Sequence, residues 1–311
     1  MRLFKPWYVW RPWQLVARLR YELGNPRSGY GPNQTAWGVS ILADPRKTIG
    51  RSIRTTGVYD LAVSEVMARL VRQGDTVVDA GANVGYMTLL AAIAAGPSGR
   101  VTAWEPHPEL FGVLQNNVWS LSGSVQCASV TMRNAALGET SGAVELNVPP
   151  GMATNDGLSY VGDRSGSDTT ILVDLESIDE TFGDQSISIL KLDVEGSELA
   201  VLRGASRLLR GGRIRDIVFE DHLGRDGQVI PLLVSLGYEV FSIGWSVAGP
   251  RLGALADGSL AQSYEAPSYL ATRASKDALR LCREGGWLTL RRGFAVASTA
   301  RRRPDHEPSC A

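Results

Sequence analysis

Cysteine is scarce in this 311-residue chain: Cys127, Cys282 and Cys310 lie far apart and form no C-x-x-C pair. That spacing argues against a structural zinc site and a disulfide framework, and it fits a reducing, cytoplasmic setting. Net charge is also missing, with 32 lysines and arginines against 32 aspartates and glutamates. No overall basic excess therefore points to nucleic acid. Histidine is limited to His107, His222 and His306, which leaves few side chains that titrate near neutrality. No G-x-S-x-G, H-E-x-x-H or P-loop pattern occurs, which removes common hydrolase and nucleotidase readings. One uncharged run, Ala80 to Gly99, reaches the length of a membrane span. Asn83, Gly81, Gly85, Gly96 and Pro97 interrupt it, so it reads as a loop followed by a core helix.

What the chain does have is concentrated in Val77 to Leu90, VVDAGANVGYMTLL. Val77 and Val78 read as the end of a buried strand. Gly81 and Gly85 allow a tight turn and a close backbone approach to a ligand. From Tyr86 the run YMTLLAAIAA reads as a helix whose unpaired N–H groups face that loop. A second strand, Val101 to Trp104, ends on Glu105, twenty residues after Gly85. That is where an α/β nucleotide site places a carboxylate for ribose hydroxyls.

The dinucleotide fingerprint G-x-G-x-x-G is incomplete here, because only two glycines occur, spaced G-x-x-x-G. Asp79 stands just before them, where it would repel a pyrophosphate but suits a cofactor with a cationic centre and an amino group. S-adenosyl-L-methionine has both. The alternative on such a fold is a nicotinamide oxidoreductase, weakened by the missing third glycine and the absence of a Y-x-x-x-K pair. A non-catalytic cofactor-binding module is the third reading.

The rest of the chain alternates strand and helix, which implies a parallel sheet covered on both faces. A helix is expected over Pro108 to Leu121 and a strand over Ala128 to Ala136. Val144 to Val148 and Thr170 to Leu175 should form a hairpin around the Gly/Ser/Asp-rich loop 151–168. Further strands are expected at Ile187 to Leu192, Ile214 to Phe219, Tyr238 to Ile243 and Ser268 to Thr272, and after Asp193 to Glu198 a helix with Leu199, Leu202, Leu208 and Leu209 on its apolar side. Residues 1–34 read as an aromatic and basic arm, 35–275 as the catalytic domain and 276–311 as a C-terminal extension with a disordered end. Residues 1–20 hold three tryptophans and five basic residues with no acid, a composition suited to peripheral membrane contact through residues 1–24. The competing reading is an arm packed on its own domain or on a partner subunit.

Four segments, GDTVVDAGANVGYMTLLAA, GRVTAWEPHPELFGVLQNNV, NAALGE and ISILKLDVEGSELAVLRGA, resemble the FkbM family of S-adenosylmethionine-dependent methyltransferases. The preceding TIGRSIRTTGVYD resembles that family's lead-in, with Tyr59-Asp60 where the family has Tyr-Glu. The likeness covers roughly residues 35–245; the insertion 244–267 and residues 276–311 lie outside it. It implies an α/β, Rossmann-like class I methyltransferase fold: a seven-stranded, mostly parallel sheet with helices on both faces and an antiparallel last strand. The activity implied is methyl transfer to a hydroxyl of a small molecule or glycan.

In such a fold, ligands sit at the carboxyl ends of the strands where strand order reverses. Gly81, Asn83 and Gly85 are then expected around the methionine part, with Asp79 supporting the loop or meeting the amino group through water. Glu105 falls at the ribose, and Ala135 and Ala136 beside the adenine. Asp193 is expected beside the transferred methyl and His222 as the general base, with Asp193, Glu220 and Asp221 as rival bases or as orienters of His222. Glu195 and Glu198 read as capping or loop residues. No metal ligand set is expected.

Overall fold

The computed structural model describes residues 5–24, 26, 28–122, 125–150, 159–161, 169–255, 267–291 and 293–294. Most of the 151–168 loop, residues 256–266 of the insertion, and the C-terminal tail from 295 lie outside the described residues.

Two short helices lead, α1 (Pro6–Val9) and α2 (Gln14–Gly24). Pro6 occupies the first position of α1, where its fixed φ suits the helix and its missing N–H costs nothing. Next come the antiparallel pair β1 (Gly31–Gln34) and β2 (Ser40–Ala43), then α3 (Thr48–Thr56) and α4 (Leu61–Leu70). Asp60 caps α4 by accepting from the Val63 N–H at 3.1 Å. Two β–α–β units follow: β3 (Thr76–Ala80), α5 (Tyr86–Ala95), β4 (Arg100–Trp104), α6 (Pro108–Ser122) and β5 (Ser129–Arg133). After them run β6 (Ala135–Leu137), β7 (Gly142–Val148), β8 (Tyr160–Val161) and β9 (Thr169–Glu176). The chain continues through α7 (Ile178–Phe182), β10 (Ile187–Leu192), α8 (Glu198–Arg203), α9 (Ser206–Arg210) and β11 (Ile214–Glu220). It closes with α10 (Val229–Ser235), β12 (Glu239–Ser246), β13 (Gly249–Ala254), β14 (Ser268–Thr272) and α11 (Ser275–Arg283).

The central sheet has the order β13-β12-β14-β11-β10-β3-β4-β5. Strands β5, β4, β3, β10 and β11 are parallel, and β14 runs antiparallel between β11 and β12. The seven-stranded, mostly parallel arrangement is thus present, extended at one edge by β13, which the insertion supplies and which pairs with β12. Alternate residues of each strand feed the two faces. Val77, Ile189, Val218 and Leu270 join the core under α4, α5 and α6, while Val78, Leu190, Ile217 and Phe219 join the core under α8 to α10. Burial on both faces is why these strands are almost wholly apolar.

The structure corrects two element boundaries. The single strand expected over Ala128 to Ala136 breaks at Asn134, and β6 leaves the central sheet to pair with β9 in a second sheet of order β6-β9-β7-β8. Asn134 holds the break by donating to the carbonyls of Glu105 (2.8 Å) and Pro106 (3.0 Å). The helix expected after Asp193 is two short ones meeting near Gly204. A Cβ there would fall 2.0 Å from the Gly138 carbonyl oxygen, so glycine lets the two backbones touch.

The described segments nearest both ends of the chain are tied into this body. Trp287 and Thr289 are fully buried, and Leu290 and Phe294 lie in the core. The buried ion pair Glu65–Arg69 of α4 (2.8 Å) holds that segment. Glu65 accepts from the N–H groups of Leu288 and Thr289 and from the Thr289 hydroxyl, while Arg69 donates to the carbonyls of Leu281, Glu284 and Gly286. Each buried charge is thereby matched, the condition under which such a pair is tolerated. At the other end, Tyr8, Arg11 and Gln14 are buried, and the indoles of Trp10 and Trp287 both donate to the Val247 carbonyl (2.9 and 3.2 Å).

Candidate active site

Strand order reverses between β3 and β10, and a cavity of about 570 Å³ opens there. Such a crevice at the carboxyl ends of parallel strands is where α/β folds bind ligands. The floor is the loop from β3 to α5. Gly81 has φ +76°, and a Cβ there would sit 1.8 Å from the Asp193 carbonyl oxygen, so the two strand ends touch through a missing side chain. Gly85, with φ +91°, forms the N-cap of α5.

Glu105, at the end of β4, is buried and holds that loop from the side. One carboxylate oxygen accepts from the Asn83 N–H (2.8 Å) and the other from the His107 N–H (2.9 Å). Burial nevertheless pushes its pKa up to about 7, against those two hydrogen bonds. Ala135 and Ala136, both buried on β6, form the neighbouring wall.

Beneath the loop, Lys191 of β10 joins three partners. Its Nζ lies 3.2 Å from Asp79 and 3.3 Å from Asp193, and it donates to the Gly81 carbonyl at 3.2 Å. Burial alone would depress its pKa, but the two carboxylates hold it above the ordinary lysine range. Asp79 also accepts from the Thr88 hydroxyl at 2.6 Å, so it is consumed in bracing β3, β10 and α5.

The opposite wall is acidic. Asp60, Asp193, Glu195 and Glu220 all line the cavity. Glu220 is pushed up to about 8 by burial and then by Asp193, Glu195 and Asp60; Glu195 reaches about 7 by burial and its neighbours Asp193 and Glu198. The half-buried Tyr59 hydroxyl rises well above its ordinary value through burial and the same carboxylates. Among the described residues only Asp60, Asn83 and Glu195 are non-glycine residues with positive φ, and all three line this cavity. Strained backbone concentrates where function demands it.

Of the residues singled out in the sequence, Gly81, Asn83, Glu105, Ala135, Ala136 and Asp193 line the cavity. Asp79 lies behind it. Gly85 faces Leu114 and Leu89 rather than the opening. His222 is 66% exposed and outside the cavity wall, its Nε2 3.2 Å from Glu220 Oε1. Glu198 accepts from the N–H groups of Val194 and Gly196, a loop-bracing role. Glu195, expected to brace structure as well, instead lines the cavity. Asp221 accepts from the Leu223 N–H at 2.9 Å.

The sequence profile described as "Methyltransferase FkbM domain" matches residues 79–240, from the glycine loop through the acidic wall. The chain belongs to the FkbM methyltransferase family. Among curated relatives of this methyltransferase, the hexuronic acid methyltransferase AglP of Haloferax volcanii is 26% identical over 224 residues, 71% of this chain and 87% of the relative. The 31-O-demethyl-FK506 methyltransferase FkbM of Streptomyces tacrolimicus is 31% identical over 196 residues, 55% and 75% of the two chains. A solved methyltransferase FkbM from Methylobacillus flagellatus KT superposes with a TM-score of 0.41 at 18% identity, covering 63% of this chain and 43% of that one. The family assignment makes the chain an S-adenosylmethionine-dependent enzyme, and the nicotinamide and non-catalytic readings are not favoured.

Sequence reasoning missed Lys191. In this FkbM methyltransferase it is a lone charge inside the apolar strand ISILKL, and a lysine there needs carboxylate partners on adjoining strand ends. That signal was present. Lys5, just before α1, and Trp7 on it also line the cavity, and nothing in their local sequence placed them there.

Proposed function

We propose that this FkbM-family enzyme methylates a hydroxyl group on a small molecule or sugar. The hydroxyl and sugar classes draw support from the two relatives, one described as acting on a hexuronic acid and the other named for an O-demethyl substrate. The observation that carries the reading is the set of carboxylates at the ends of β10 and β11, facing the glycine loop across one cavity.

The residues suit S-adenosylmethionine. Gly81 and Asn83 would shape the methionine end, with Gly85 fixing the turn and Asp79 braced behind them by Lys191. Glu105 would accept from the ribose hydroxyls, and Ala135 and Ala136 would leave room for a flat adenine. The bound cofactor supplies an electrophilic methyl on a cationic sulfur. The protein's part is alignment, which supplies much of the rate of an in-line displacement, and removal of the hydroxyl proton. Asp193, fixed by Lys191, orients the acceptor hydroxyl. Glu220 receives its proton, and His222, behind Glu220 and open to solvent, carries that proton onward. His222 thereby acts on the acceptor through Glu220 rather than by touching it.

Turnover should rise with pH through about 8 as Glu220 ionises. Glu220→Gln should lower kcat by about 100-fold with S-adenosylhomocysteine affinity unchanged, since positioned bases contribute factors of that order. His222→Ala should cost less and alter the pH profile. Full activity of Glu220→Gln on an identified acceptor would remove the base.

A further inference from the structure

Helix α2 carries its apolar face outward. The residues that touch the domain are polar: Gln14 is buried, Tyr21 donates to the Pro45 carbonyl, and Arg18 donates to the Tyr8 hydroxyl. Val16, Leu19 and Leu23, at helical spacing along the opposite side, are 49%, 53% and 86% exposed. Val9, Trp10 and Trp13 extend the stripe, and Val247 from the β12–β13 turn adjoins Trp10. A contiguous exposed stripe of this kind marks an interaction surface.

Charge selects the occupant. Residues 1–56 carry ten lysines and arginines against only Glu22 and Asp44, within a chain that balances overall. Arg20 on α2 and Arg51 and Arg54 on α3, which packs against α2, are exposed. A second copy docked on the same face would oppose two basic surfaces. An anionic bilayer offers the opposite charge, an apolar interior for the leucines and valines, and a headgroup layer for the indoles. The helix has 11 residues, and among the described residues no helix is long and apolar enough to cross a membrane.

We propose that α1 and α2 dock on the surface of an anionic lipid bilayer, with Val16, Leu19 and Leu23 at the acyl boundary. Lys5, which precedes α1, and Trp7 on it line the cavity, while Trp10 and Trp13, just past α1, belong to the stripe. Docking therefore brings the arm-side wall of the cavity to the headgroup layer. Given the methyltransferase reading, on which this clause rests, the acceptor is an amphiphile presented from the bilayer.

The test is flotation of the full chain with phosphatidylcholine vesicles, with and without phosphatidylglycerol. The chain should float only with the anionic vesicles, and less at high salt. The double variant Val16→Asp, Leu23→Asp should float at least about tenfold less. Its melting temperature and S-adenosylhomocysteine affinity should stay unchanged. Wild-type protein that stays unbound to anionic vesicles, or a variant that floats equally, would overturn the proposal. So would a concentration-dependent dimer that the variant abolishes. Absent S-adenosylhomocysteine binding would count against the cofactor reading alone, since flotation and melting decide docking independently.

Discussion

Glu105 shows how one buried side chain can brace a loop and still line a cavity. Both of its oxygens are already used by backbone N–H groups, yet burial keeps its pKa near 7. Ribose hydroxyls would donate to the ionised form and lower that pKa on binding. By linkage, affinity for S-adenosylhomocysteine should be full above pH 7 and fall by up to about tenfold per pH unit below it. Glu105→Gln should flatten this dependence and weaken binding by about 2 kcal/mol, because an amide can accept only one of the two N–H groups. Titration calorimetry across pH 5.5 to 8.5, a range of about one and a half units either side of the raised pKa, reads both effects. The place of Glu105 on the cavity wall was legible from strand-end position alone. The place of His222 was not: it follows the same strand as Glu220, but β11 ends at Glu220, and the side chain two residues on points outward.

Elements were easier to read than the joins between them. β10 and β14 fall on the residues expected, because apolar β-branched runs bounded by turns have few alternatives. The break at Asn134 was hidden, since MRNAAL continues a strand-like pattern and only the carbonyls of Glu105 and Pro106 make the turn favourable. The β3–α5 loop is the element on which the site depends, and its two glycines should respond differently to alanine. At Gly81 the added Cβ would meet the Asp193 backbone at 1.8 Å, which cannot yield without moving β10. At Gly85 it would meet the end of the Leu114 side chain at 2.6 Å, which can rotate. Both positions have positive φ and cost about 1 kcal/mol for that alone. Gly81→Ala should lose cofactor binding and about 2 kcal/mol more stability than Gly85→Ala, measured by calorimetry and urea unfolding.

Across the whole molecule, the fold gathers one cavity from both arms of the sheet, the second sheet and the N-terminal helices. The Glu65–Arg69 pair then seals the C-terminal segment, whose place in the core its sequence did not announce, because that place depends on partners more than 200 residues away. The same long-range logic puts α1 at the cavity and leaves α2 with an outward apolar stripe. The central claim is that this cavity binds S-adenosylmethionine. It is tested most directly by calorimetric titration of the full chain with S-adenosylhomocysteine, beside NADH. Micromolar binding of S-adenosylhomocysteine, lost in Gly81→Ala, and no binding of NADH is the expected result. Binding of NADH in its place, or undiminished S-adenosylhomocysteine binding in Gly81→Ala, would contradict the account.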